Sequence, residues 1–241
     1  MTIHRALLAQ YFRQLEDLGI SEIYLDSMSA EDVLAVMAGR AIAAPVDAPV
    51  TTRATESNAL RVLMDTALAC TRCRLHEERT NVVFGEGNPA ANVVVVGEAP
   101  GQEEDRTGRP FVGRAGKLLD LLLLTAGFPR EDVYICNVLK CRPPNNRNPL
   151  PDEVDACTKD FLHGQLEAIS PRVLLAVGKF AAQALLQTET PIGRLRGTVH
   201  TYQGTPLVVT YHPAFLLRSP QMTRVAWQDF QLLRQVHDEQ A

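Results

Sequence analysis

Four short apolar runs punctuate the chain: NVVVVG at Asn92–Gly97, VYICNVL at Val133–Leu139, RVLLAVG at Arg172–Gly178 and PLVVTY at Pro206–Tyr211. Each is strand-length, rich in β-branched residues and nearly continuous in apolar character, the signature of strands buried on both faces. Between them the apolar spacing turns helical at Gly116–Ala126, Asp152–Ile169 and Phe180–Gln187, and a C-terminal helix is expected over Gln221–His237. Strand–helix alternation of this kind predicts a parallel sheet with helices on both faces. Ligands of such sheets bind outside the carboxyl ends of the strands. The segment GEAPG follows the first run, Asn137 sits near the end of the second, and HPA follows the fourth, so three unusual features are expected at one edge.

The remaining length is organised differently. Of 241 residues, 1–40 carry short helical patterns (Leu7, Leu8, Tyr11, Phe12, Leu15; then Val33, Leu34, Val36), and 41–57 form an Ala/Pro/Thr-rich stretch without periodicity. We expect an acidic helical extension at 1–40, a linker at 41–57 and the main domain at 58–241. Residues 1–57 hold four basic and eight acidic side chains, leaving twenty of each sign in the rest of a chain whose net charge is −4. A neutral domain can still build a local phosphate-binding face, so charge excludes no nucleic-acid partner. No apolar run reaches the roughly 20 residues of a membrane span, and the N-terminus lacks a signal-peptide pattern. A cytoplasmic monomer without a membrane partner is expected; for residues 1–57 a docking segment for a protein partner and a disordered tail both remain open.

In GEAPGQEEDRTGRPFVGRAGKLL the glycines and Pro100 impose tight turns, and Glu98, Glu103, Glu104 and Asp105 make the loop acidic. Those carboxylates and the missing Lys-Ser/Thr ending argue against a phosphate-binding loop. Phe111 is an aromatic placed to stack on a flat ring or to pack as satellite core. Asn137 interrupts an apolar strand; it either ties down a loop or offers an adjacent donor and acceptor to a pyrimidine edge. His212 is fixed at a strand end by Pro213. Behind it Phe215, Leu216, Leu217 and Arg218 read as an apolar tip backed by a cation, a shape that can enter a base stack.

Five cysteines are too few, and odd in number, for a disulfide scaffold. Cys70 and Cys73 form C-x2-C, and fifteen residues separate Cys141 from Cys157. Four thiolates suffice for zinc or for a four-cysteine iron–sulfur cluster, and spacing does not separate the two. A redox pair at Cys70 and Cys73 would leave the other two unexplained, and Cys136 reads as a packing residue.

Taken together, GEAPGQEED…GRPFVGRAGKLLD, NVLKCRPPNNRNPLPDEVDAC and YHPAFLLRSP resemble the family 4 uracil-DNA glycosylases, in the same order and over about Cys70 to Pro220. The resemblance implies a three-layer α/β/α sandwich around a four-stranded parallel sheet and a [4Fe–4S] cluster on Cys70, Cys73, Cys141 and Cys157. It implies hydrolytic removal of uracil from single- or double-stranded DNA, leaving an abasic site, as in base excision repair. Phe111 would stack on the flipped uracil, Asn137 would read its edge, Glu98 and Ala99 would line the pocket, and His212 would bond O2 of the leaving base. Glu104 would face the sugar, with Glu98 competing for that role. Leu216 and Leu217 would supply a wedge, and Lys117, Lys140, Arg142, Arg147, Arg196 and Arg218 would meet phosphates. Two alternatives share the fold: a non-catalytic DNA-binding module, and covalent uracil capture by a histidine in an arginine-rich insertion. No such insertion stands in TPIGRLRGTVHTYQG, where His200 is the nearest candidate. An iron–sulfur electron carrier would leave the base pocket without a purpose.

Overall fold

The computed structural model describes residues 53–240, within one compact unit formed by Thr51–Ala241. The expected helical extension at 1–40 and most of the linker lie outside the described residues. Helix α1 spans Arg53–Leu68, so the helical structure of the domain starts inside the stretch expected as linker.

Among the described residues six strands build one sheet: β1 (Glu86–Gly87), β2 (Val93–Gly97), β3 (Tyr134–Asn137), β4 (Val173–Val177), β5 (Val199–Tyr202) and β6 (Thr205–Thr210). Their order is β1-β3-β2-β4-β6-β5. The four inner strands are parallel and coincide with the four apolar runs, whereas β1 and β5 add antiparallel edges. Alternate side chains feed two cores, because successive strand residues face opposite sides. Val94, Val96, Cys136, Leu174 and Ala176 pack on one side with Phe161, Leu162 and Leu185; Val93, Val95, Ile135, Leu175 and Val208 pack on the other with Leu119, Leu123, Phe230 and Leu233.

The first side carries α1, α4 (Pro151–Cys157), α5 (His163–Ile169) and α6 (Lys179–Leu186). A π turn at Thr158–Leu162 joins α4 to α5 without a break, as one helix expected over Asp152–Ile169. The second side carries α3 (Arg114–Thr125) and α9 (Thr223–Glu239). Three short helices complete the fold: α2 (Gln102–Thr107), α7 (Ile192–Leu195) and α8 (Pro213–Arg218). The chain leaves β2 toward β3 on one side and reaches β4 on the other, so the carboxyl ends of β2 and β4 flank the point where strand order reverses. No helix among the described residues is long and apolar enough to cross a membrane.

Candidate active site

At that reversal lies a cavity of about 640 Å³ whose walls include Glu98, Ala99, Glu104, Phe111, Asn137, His212 and Arg218. Register does most of the assembly. Gly97 pairs with Asn137 across β2 and β3, and the ladder continues as Val138 N–H donates to Gly97 O at 2.9 Å and Leu139 N–H to Glu98 O at 3.0 Å. A Cβ on Gly97 would lie 2.3 Å from Asn137 Oδ1 and 2.5 Å from Phe111 Cζ, so only glycine lets these side chains meet over the strand end.

Asn137 is 1% exposed, and its Oδ1 is buried without a hydrogen-bond partner. Such an orphan costs free energy unless a donor arrives, which marks the cavity as shaped for a ligand carrying an N–H. His212 caps α8, and its Nδ1 accepts the Ala214 N–H at 3.1 Å. That bond assigns the proton of the neutral ring to Nε2. Burial, then Arg218, pushes the imidazole down to about 4, against the pull of Glu104, so the ring is neutral at physiological pH. Its centroid lies 5.8 Å from that of Phe111, with the planes tilted by 31°.

The two carboxylates differ in kind. Glu104 Oε1 accepts the N–H groups of Val112 at 3.0 Å and Gly113 at 2.9 Å, which fixes its orientation at the cavity wall. Burial pushes Glu98 up to about 7 despite the nearby Lys179, so both of its protonation states are populated near neutral pH.

Not every expected contact is available. Lys140 is 1% exposed and its Nζ donates to the Asn137 carbonyl at 2.6 Å, so it is an internal strut and not a phosphate contact. Arg196 spends its guanidinium on the buried Asp229, at 3.0 and 2.8 Å, and on the Val225 carbonyl, so it ties the end of α7 to α9. Leu216 is 1% exposed because the register of α8 turns it into the core, whereas Leu217 on the next position is 45% exposed. Of the two leucines expected as a wedge only Leu217 is exposed, with Arg218 exposed at the cavity wall. Arg142 bonds Asn146, and Arg147 lines the cavity while paired with the buried Glu153. Lys117 is exposed on α3 and is not among the cavity-lining residues. His200 is on β5, bonded to Leu195 O at 2.6 Å, and not on the cavity wall.

Cys70, Cys73, Cys141 and Cys157 border one small void together with Arg79 and Lys140, and none of them is in a disulfide. Arg79 Nη1 lies 3.1 Å from Cys141 Sγ. Burial raises the thiols of Cys73 and Cys141 and pushes Cys157 up to about 11. Among the described residues no three Cys, His or carboxylate side chains close on one point as they would around a single ion. Cys136 is fully buried in β3 and does not border the void.

A family model described as the uracil DNA glycosylase superfamily matches residues 84–231. A type-4 uracil-DNA glycosylase of Thermotoga maritima is 46% identical over 181 residues, covering 73% of this chain and 94% of that protein. A type-4 uracil-DNA glycosylase of Archaeoglobus fulgidus is 48% identical over 171 residues, covering 68% of this chain and 85% of that protein. The chain belongs to the type-4 uracil-DNA glycosylase family. A further member from Sulfurisphaera tokodaii is 38% identical over 188 residues, covering 74% of this chain and 85% of that protein.

Within this type-4 member, several wall residues escaped the sequence reading: Gly178 and Lys179 after β4, Tyr211 beside His212, and Asn146 and Asn148 before α4. Gly178, at φ 102°, offered a signal in the glycine that ends the third apolar run. The asparagines offered none, because polar loop residues are common everywhere.

Proposed function

We propose that this protein removes uracil from DNA by hydrolysing the N-glycosidic bond of a flipped-out deoxyuridine, leaving an abasic site. The observation that carries the reading is the orphaned Asn137 Oδ1, set beside the Phe111 ring and the Nε2 donor of His212 in one cavity of a type-4 family member. Uracil presents an N3–H donor next to its C4 carbonyl, which matches the amide; cytosine presents the reverse. Phe111 stacks on the ring. Unpairing and flipping cost a few kcal/mol, which Leu217 and phosphate contacts from Lys179 and Arg218 help to offset.

As the C1′–N1 bond breaks, its electron pair stays on the base and positive charge grows on the sugar. His212 Nε2–H, neutral and fixed, donates to O2, where part of the negative charge develops; donors of this kind contribute about 3 kcal/mol elsewhere. Glu104, held by two backbone amides, faces the sugar, stabilises its cationic character and orients the water, whose oxygen bonds to C1′ as its proton passes to the Glu104 carboxylate. Glu98, whose charge is only partly developed near neutral pH, is better suited to lining the base pocket than to that role.

The four thiols fit a [4Fe–4S] cluster: they share one void with the basic side chains of Arg72, Arg79 and Lys140, and a cluster needs its sulfurs further apart than a single ion does. When bound it supplies no chemistry to hydrolysis and acts as a structural pin. The protein acts in the cytoplasm, on nucleoid DNA.

Incubation with a uracil-containing oligonucleotide followed by alkali tests the reading. Scission confined to uracil is expected from the native protein. An intact strand despite tight binding would favour the non-catalytic alternative. Asn137→Asp should cut the rate by about 10²-fold or more and weaken the rejection of cytosine.

A further inference from the structure

Phe111 is held in a backbone conformation that phenylalanine avoids, and the groups holding it lie outside the cavity. Its φ is 50°, in the left-handed region where a side chain crowds its own backbone. Left alone, the segment would relax and carry the ring away from Asn137. Helix α3 blocks one route: a Cβ on Gly116 would lie 1.8 Å from the Phe111 carbonyl oxygen, so the two backbones are in direct contact. Arg130 blocks the other. Its Nη2 donates to the Pro110 carbonyl at 2.7 Å and its Nη1 to the Phe111 carbonyl at 3.3 Å. Asp120 holds the same Nη1 at 2.7 Å, and Glu86, itself gripped by Arg109, stands 3.7 Å from Nη2.

We propose that Arg130 is a positioning residue that fixes the Phe111 platform and thereby sets the affinity of the pocket for a flat pyrimidine. The inference rests on Phe111 serving as the stacking surface. A planar guanidinium reaches two successive carbonyls and a carboxylate at once, which a lysine ammonium on a single point cannot reproduce. Because Arg130 lies outside the cavity wall, its influence on the base passes through the ring alone. A platform fixed in advance lowers the cost of binding the extruded base and its departing product equally, so the effect falls on KM and on inhibition by free uracil more than on kcat.

The test compares Arg130→Gln, Arg130→Lys, Phe111→Ala and the Arg130→Gln/Phe111→Ala double variant. Thermal melting, kcat and KM on a uracil oligonucleotide, and the inhibition constant of free uracil are measured for each. Arg130→Gln should raise KM and the inhibition constant about tenfold with kcat changed much less, and Arg130→Lys should fall between it and the native protein. In the Phe111→Ala background the Arg130→Gln change should add nothing. Equal weakening with and without the ring would make Arg130 a general scaffold residue and overturn the proposal. An unaltered inhibition constant in Arg130→Gln, with Phe111→Ala still weakened, would sink the Arg130 link alone. Phe111→Ala binding uracil as the native protein does would remove the platform itself. Should Arg130→Gln melt without cooperativity, Asp120→Asn, which loosens the anchor only, should give a smaller rise that likewise vanishes without the ring.

Discussion

The side chain that matters most at Gly97 is the one it lacks. An added methyl would meet Asn137 Oδ1 at 2.3 Å and Phe111 at 2.5 Å, and neither neighbour can retreat, one being on a strand and the other on a pinned left-handed turn. Gly97→Ala is therefore expected to lower kcat/KM on a uracil oligonucleotide by at least about a hundredfold while the far-ultraviolet spectrum stays native, because displacement of about 1 Å suffices for such losses. Glu98 offers a second check. Burial holds its pKa near 7, above the ordinary 4.5, so the folded state keeps a proton that the unfolded chain releases. Its contribution is intact below pH 4.5 and declines as pH rises through 7. Glu98→Gln should then melt higher than the native protein at pH 8 and equally at pH 4.5.

Among the elements, the parallel strands were legible because a doubly buried strand has no choice but to be apolar, and Val93–Gly97 and Val173–Val177 say little else. Helix α2 was not, since QEEDRT has no apolar period. Its stability comes from acidic residues in the first turn, complementing the helix dipole, and from Gly108 closing it at φ 72°. Edge strand β5, with the mixed sequence VHTY, has the same problem: exposed positions carry no burial pattern. The cavity wall was legible where polar and aromatic side chains interrupt the apolar pattern, at Phe111, Asn137 and His212, which line it together. It was illegible where only register decides, so that Leu216 turns into the core while Leu217 stays exposed, and Lys140 and Arg196 turn inward. Cys141 and Cys157 bracket the segment that carries Asn146 and Arg147 to the cavity wall, and α4 enters it with Glu153 accepting the Leu150 N–H. If the proposed [4Fe–4S] cluster is bound, Cys157→Ser, or removal of iron by chelation, should bleach the visible absorbance, lower the melting temperature by on the order of 10 °C and open residues 142–156 to protease. Unchanged melting after complete loss of iron would show that the centre pins nothing.

For the molecule as a whole, one contribution to acid stability comes from His212 on the cavity wall. The unfolded imidazole titrates near 6.5 and the folded one near 4, so between those values only the unfolded chain takes up a proton. Stability conferred by His212 is present above pH 6.5 and is lost as pH falls toward 4. A His212→Asn variant should show a flatter decline in melting temperature across that window. The Glu98 and His212 effects run in opposite directions, so over the acid range each offsets part of the other. The fold shields both edges of its parallel sheet with antiparallel strands, leaving the carboxyl rim as the face given over to ligand.

The bond from Ala214 N–H to His212 Nδ1 restricts how protons travel. With one nitrogen occupied as an acceptor and the ring resisting a second proton, this imidazole can lend its hydrogen to a carbonyl but cannot relay one onward. On the proposed reading, the excised base departs as an anion and is neutralised by solvent after release.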